Sequence, residues 1–317
     1  MKTVALVTIH GMGETQPDYA DKLFARLQQS VSTAPLYYGT VYYQDLLQYN
    51  EQRVWQATGT RLRWGKLRRF MLFGFADAAA LEHRKEHPHS LYHYSQLKIA
   101  RALYLAKQQL TADGKLVLLA HSLGCHVLSC YLWDAQQAKA GLKPAAGIWR
   151  NIKRYQAAIS GDSLLTEEDI AFLRGDSLVS LITTGCNIPI FVAAHAMEQI
   201  IPFPKPSSVF IWHNYYDKDD VLGWPLAELS DGYAAMVTDI EVNASGGGFF
   251  SWLTASWNPL SHNQYWQDNK VISALSAQLA RLQLDYHEHQ LNILRCLEYL
   301  KQCLNHQELN LQQQMQH

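Results

Sequence analysis

The sequence predicts an α/β fold: a mostly parallel central sheet with helices on both faces, plus a helical insertion. Two observations predict it. Apolar, strand-like runs recur along the 317 residues with helical patterns between them, and such alternation lays strands parallel because each return is made by a helix. Three of the four motifs that carry chemistry follow strand-like runs directly. Those are the carboxyl ends at which a parallel sheet presents its functional groups. An apolar fraction of 48% is ample for a large core.

Taken in order, residues 4–9 read as a first core strand, 19–31 as a helix, and 37–43 as a second strand, aromatic and β-branched. Residues 93–110 and 122–139 are helical, with a buried strand at 116–119 between them. Strands follow at 179–183, 209–212 and 236–242, then a helix at 271–282. Two segments break the alternation. Residues 50–92 carry Arg53, Arg61, Arg63, Lys66, Arg68 and Arg69, followed by an apolar patch at 70–75. They read as a helical insertion, either an extra layer packed on the core or a lid-like surface that meets an amphiphilic substrate or a membrane. From Leu284 onward, Leu291, Leu294, Leu297, Leu300 and Cys303 recur at helical spacing, with Gln-rich residues at the end. The expected organisation is one domain over 1–283, with the insertion at about 50–92, and a C-terminal amphipathic helix with a flexible tail over 284–317.

A net charge of −1 gives no overall field for nucleic acid. The cysteines Cys125, Cys130, Cys186, Cys296 and Cys303 form no CxxC pair and no disulfide framework, which fits a reducing, cytoplasmic compartment. The start of the chain has a short apolar run but no small-x-small cleavage site, and a core strand explains it better than a signal. No apolar stretch reaches the ~18 residues of a membrane span.

The most informative stretch is 116–124, Leu-Val-Leu-Leu-Ala-His-Ser-Leu-Gly. A strand-like run ends in Ser122, with small residues Ala120 and Gly124 two positions to either side, and a helical pattern follows. That describes a serine on a tight strand-to-helix turn with its hydroxyl presented to a substrate. The small flanks let strand and helix approach a strained backbone.

A serine hydroxyl needs a base to take its proton. His262 fits, in a turn-rich loop (257–266) after the last strand and the Gly246-Gly247-Gly248 breaker. His121 points to the opposite face from its neighbour, so it packs under the turn, as His126 does. The third member is a carboxylate that fixes the imidazole. Asp217, Asp219 and Asp220 crowd the loop after the fifth strand. Asp220 is preferred because it begins an Asp-Val-Leu-Gly run that anchors its backbone; the other two remain rivals. Acyl chemistry also needs amide donors for an oxyanion. The Leu123 N–H supplies one, and Met12 in the His10-Gly11-Met12-Gly13 loop a second, with His10 orienting that loop.

Together these residues resemble the α/β-hydrolase fold family of serine esterases and lipases, in that family's chain order Ser…Asp…His. The Ala-His-Ser-Leu-Gly element is similar to that of certain bacterial lipases. The run Asp220-Val221-Leu222-Gly223-Trp224 resembles one in some intracellular phospholipases and adds to the preference for Asp220. The segment around Ser261-His262 and Tyr265-Trp266 looks like the histidine loop of related hydrolases. The resemblance covers about residues 3–282 and implies an ester-cleaving apparatus, leaving the substrate open.

The resulting expectation is a serine hydrolase that cleaves a carboxylic ester through an acyl-enzyme, with catalytic Ser122, Asp220 and His262, an oxyanion hole at Met12 and Leu123, and no cofactor. An acyltransferase or thioesterase on the same residues, or a binding protein that retains the fold, are the alternatives. Metal binding is disfavoured, since His87-Pro88-His89 and His287-Glu288-His289 lack the His-Glu-x-x-His spacing. The expected partner is a small-molecule or lipid-like ester, with no nucleic acid. Two more stay open: a membrane or lipid surface for residues 50–92, and a second copy of the chain for the C-terminal helix. Tyr215, Tyr216, Trp224, Trp252, Trp257 and Trp266 suggest either an apolar-walled pocket or core packing.

Overall fold

The structure is a computed structural model. It describes every residue except 32–35, 47, 196–198, 245–261, 263 and 315–317, and the backbone alone at 60, 299–300 and 302–314. Among the described residues, one sheet contains β1 (Lys2–Ile9), β2 (Tyr37–Val41), β3 (Leu110–His121), β4 (Leu178–Thr184), β5 (Ile211–Tyr216) and β6 (Val237–Glu241). The helices are α1 (Asp21–Ser30), α2 (Gln48–Thr58), α3 (Gly65–Glu82), α4 (Leu91–Lys107), α5 (Leu123–Lys139), α6 (Gln156–Ser160), α7 (Glu167–Leu173), α8 (Ile188–Ala194), α9 (Asp231–Ala234) and α10 (Asn269–Gln314).

Strand order is β2-β1-β3-β4-β5-β6, and every neighbouring pair is parallel. The chain leaves β1 for β2 on one side and reaches β3 on the other. The order therefore reverses between β1 and β3, the kind of crevice in which open α/β sheets place their sites. Ile9 lies opposite Ala120, so the loops after β1 and β3 emerge level with each other.

Side-chain alternation builds two cores. From β1 and β3, Ala5, Val7, Ile9, Leu116 and Leu118 face one way and pack with Ile99 and Leu103 of α4 and Leu128 and Leu132 of α5. Val4, Leu6, Val117 and Leu119 face the other way, against Leu23 and Leu27 of α1 and Val271, Leu275 and Leu279 of α10. Helices on both faces are what an all-parallel sheet requires.

Three elements differ from the sequence expectation. The strand expected at 209–212 runs from Ile211 to Tyr216. Its later residues stay paired on both sides, Tyr215 opposite Thr184 of β4 and Ile240 of β6. Pairing thus outweighs the polar look of His213 and Asn214, and the acidic loop begins only at Asp217. β3 starts at Leu110 rather than 116, because Leu110 pairs with Lys2 across an irregular register. The helix expected at 271–282 and the tail beyond 284 form a single helix, α10. Nothing in the sequence around 283 breaks a helix. Burial changes there instead. Val271, Ile272, Leu275, Leu279 and Gln283 are buried, whereas Leu291, Leu294 and Leu297 stand at least half exposed. The side chain of Cys303 lies outside the described residues.

The insertion is two helices, α2 and α3. Phe73, Gly74, Asp77 and Leu81 face inward from α3, while Arg68, Met71, Phe75 and Ala79 face solvent.

Candidate active site

Ser122 sits between β3 and α5 with φ 52° and ψ −124°. For a residue with a Cβ, this conformation costs on the order of 1–3 kcal/mol. The surroundings hold it there. The Ser122 amide donates to Thr184 O (3.0 Å), and its carbonyl accepts from the Cys125 amide (2.9 Å). A Cβ on Gly124 would run into the carbonyl oxygens of His10 and Ile9, so only glycine lets α5 start this close to β1. Ala120, the departure from a second glycine, is fully buried in the first core, where its methyl group has room.

Around this turn the hydrogen bonds form a line. His262 Nε2 lies 2.6 Å from Ser122 Oγ, and His262 Nδ1 lies 2.8 Å from Asp220 Oδ2. With an ionised carboxylate at Nδ1, the proton resides there and Nε2 accepts from the hydroxyl. Asp220 and His262 side chains are 1% and 2% exposed. Burial by itself would push the Asp220 carboxyl up. Hydrogen bonds from His262, the Leu222 amide and the Tyr265 hydroxyl outweigh it and bring the group below its ordinary value.

Local geometry explains the Asp-Val-Leu-Gly pattern. Asp220 Oδ1 accepts the Leu222 amide (3.0 Å) and Asp220 O accepts the Gly223 amide (3.2 Å), a side-chain turn on a backbone turn. A Cβ on Gly223 would come within 2.5 Å of Asp220 Oδ2 and 2.8 Å of Tyr265 Oη. Asp217 is as buried as Asp220, yet its oxygens accept the amides of Asp219 (2.9 Å) and Ala244 (2.7 Å). It braces the loop. Asp219 is exposed.

His10 lies under its loop. Its Nε2 accepts the Tyr43 amide (3.2 Å), so Nδ1 carries the proton and donates to Gly11 O (2.7 Å). Its ring stacks on Tyr43 at 4.1 Å. Burial drops the imidazole to about 4, against small upward pulls from the Gly11 carbonyl and Asp45. It is a neutral strut. A Cβ on Gly11 would fall 2.6 Å from Ser122 Cβ, so the 10–13 loop lies directly over the serine. The Leu123 N–H, at the first turn of α5, has no acceptor within its own helix.

His121 Nδ1 reaches Thr184 O (3.0 Å) and Oγ1 (3.2 Å), and its ring packs 4.8 Å from that of His262. His126 stacks on Phe191 at 3.7 Å. Tyr215 belongs to the second core, Trp224 is 45% exposed, and Trp266 donates to Thr184 Oγ1 (3.1 Å). Trp252, Trp257 and the 246–248 glycines lie outside the described residues.

Ser122 itself is 1% exposed, with Gly11 of the loop above it and the His262 imidazole beside it. A cavity of about 310 Å³ is bounded by His10, Met12, Thr15, Tyr19, Phe70, His121, Tyr265 and Trp266.

Two contributions escaped the sequence reading. Tyr265 donates to Asp220 Oδ2 (2.8 Å) and accepts the Asp217 amide (2.9 Å), joining both acidic positions. Asp77 of α3 accepts the Gly13 amide (2.8 Å). A lone carboxylate in the apolar run from Phe70 to Ala80 was the available signal, since such groups are buried only with partners.

No protein-family model and no curated relative matches the chain's sequence. Among solved structures it is similar to a cutinase-like protein from Cryptococcus sp. at 11% identity, covering 89% of this chain and 94% of that one with a TM-score of 0.34. It is also similar to an acetyl xylan esterase at 11% identity, covering 90% and 98% with a TM-score of 0.38. A third is a protein of Xanthomonas campestris described as a hydrolase of the alpha/beta superfamily, at 12% identity, 83% and 98% coverage and a TM-score of 0.32. The all-parallel sheet, its order reversal and the strand–serine–helix turn of this chain are those of the α/β-hydrolase fold.

Proposed function

We propose that this protein is a serine hydrolase that cleaves a carboxylic ester through an acyl-enzyme. One observation carries the reading: Ser122 Oγ, His262 and Asp220 are joined by hydrogen bonds of 2.6 and 2.8 Å at two different ring nitrogens. A buried histidine kept only for packing has no need of a carboxylate on one nitrogen and a strained serine on the other.

In the proposed reaction Ser122 Oγ attacks the acyl carbon as its proton passes to His262 Nε2. Asp220 stabilises the imidazolium, and the Met12 and Leu123 amides receive the oxyanion. Collapse expels the alcohol, which takes the proton from Nε2. Water, activated by the same nitrogen, then releases the acid and restores the serine.

The test is covalent labelling by a fluorophosphonate, followed by turnover of p-nitrophenyl esters of rising chain length. Labelling that disappears in Ser122→Ala, with acid released from the esters, supports the reading. A folded protein that takes up no probe overturns it in favour of a binding role. Acyl transfer to an added alcohol or thiol in preference to water assigns the same residues to a transferase.

A further inference from the structure

The glycine-flanked 10–13 loop has little stiffness of its own, Gly13 having φ 91°, and an amide donor contributes to oxyanion binding only when held in position. The structure shows what holds it. Inward positions of α3 meet residues 12 and 13 in turn. The Met12 sulfur packs so closely on Gly74 that a Cβ there would lie 2.6 Å from it. Asp77, fully buried, receives the Gly13 amide on Oδ2 at 2.8 Å and Gln44 Nε2 on Oδ1 at 2.9 Å. Glu51 of α2, 4% exposed, lies beside it, its Oε2 3.5 Å from the same Gln44 Nε2. Buried carboxyl pairs are costly where apolar residues would pack as well, so this one calls for a role.

We propose that Asp77, seated on Gln44 and Glu51, is the positioning residue that holds the Met12 amide on the oxyanion, so that the insertion braces the site from behind. The proposal rests on the hydrolase reading of Ser122. Burial, and then the neighbouring Asp77, raise Glu51 to about 9, and burial raises Asp77 as well, so at neutral pH the pair retains a proton. The other groups facing the pair are the Gly13 amide, Gln44 and, from the end of β2, Tyr43; none is a cation. As pH passes about 9 the proton leaves, two buried carboxylates repel, and the brace loosens.

The test compares the full-length wild type with Asp77→Asn and Glu51→Gln. It measures the rate of Ser122 labelling by a fluorophosphonate, and kcat and KM for p-nitrophenyl butyrate against pH. Asp77→Asn retains the volume but has only one acceptor oxygen for its two donors. Its labelling rate and kcat are expected to fall about 10²-fold, the usual cost of one oxyanion donor, with KM within about twofold, and its melting temperature to fall by the cost of one buried donor left without an acceptor while the protein stays folded at the assay temperature. Wild type should lose activity reversibly above pH about 9, and Glu51→Gln, which keeps the volume but cannot ionise, should lack that alkaline limb. Equal labelling of wild type and Asp77→Asn overturns the proposal, and so does faster labelling, which would make the loop a cover. A wild type that is never labelled overturns the hydrolase reading itself.

Discussion

Asp217 and Asp220 stand three positions apart on one loop and are almost equally buried, at 3% and 5% exposure, yet their oxygens face different partners. Asp220 spends one oxygen on the Leu222 amide and the other on His262 and Tyr265. Asp217 spends both on backbone amides. Asp220→Asn should therefore cost kcat about 10³–10⁴-fold, the penalty of holding the imidazole in the wrong tautomer, with the melting temperature little changed. Asp217→Asn should cost activity less than about tenfold and appear mainly as lost stability, since one buried amide loses its acceptor. Steady-state kinetics and thermal melts on both variants decide it, and the reverse ranking would reassign the acid. Tyr265→Phe removes a donor to Asp220 while leaving the ring in the core. A loss of about tenfold in kcat is expected, the worth of one hydrogen bond to a charged group, whereas no change would leave Tyr265 only a packing role.

At the scale of elements, the C-terminal part of α3 is tied at two points. Asp77 meets the Gly13 amide. Near its last turn Glu82 reaches Lys85 (3.0 Å), His126 of α5 (3.5 Å) and His195 just past α8 (3.4 Å). The hydrogen bond from His126, assisted by Lys85, outweighs burial and lowers the Glu82 carboxyl to about 2 from an ordinary 4.5. A carboxyl whose pKa falls on folding contributes stability above its unfolded value and loses it as pH drops toward the folded one. Here the window runs from pH 4.5 down to about 2. Glu82→Gln should lower the melting temperature at neutral pH by about 2–4 °C, about 1 kcal/mol for a partly exposed cluster. That deficit should shrink as wild type is acidified through the window. Calorimetry across pH tests it, and a deficit independent of pH would mean that shape, not charge, matters at this position. Elements of this kind mark the limit of what the sequence discloses. The 116–124 stretch was legible because strand, serine, Gly124 and helix are contiguous and each answers a local demand. The Asp220 turn was legible because Gly223 is forced by the carboxylate three positions before it. The Asp77–Gly13 contact joins residues 64 positions apart, which no local pattern encodes. The true span of β5 was hidden because His213 and Asn214 look like loop residues until β4 and β6 are placed on either side.

For the whole molecule, α10 raises the question of where cooperative structure ends. The helix is continuous from Asn269 to Gln314, but among the described residues its ties to other elements lie in its first part. Val271, Ile272, Leu275 and Leu279 close the second core against α1 and the sheet, Gln278 Nε2 reaches Ser180 of β4 (2.7 Å), and Gln283 is fully buried. Beyond it, Leu291, Ile293, Leu294 and Leu297 are 38–57% exposed on an element with no described partner over that stretch. A helix end held by nothing but its own hydrogen bonds is marginal in water, and stability follows buried apolar area rather than helix length. Ending the chain after Leu284 should thus leave the melting temperature within about 2 °C and the Ser122 labelling rate unchanged, whereas Leu279→Ala in the full chain should cost about 2–5 kcal/mol through the cavity it opens. If the truncated chain melts much earlier, and its loss tracks a concentration-dependent shift from a larger species to a monomer on size exclusion, the exposed stripe is an interface between two copies, and α10 is an element of the assembly as well as of the fold.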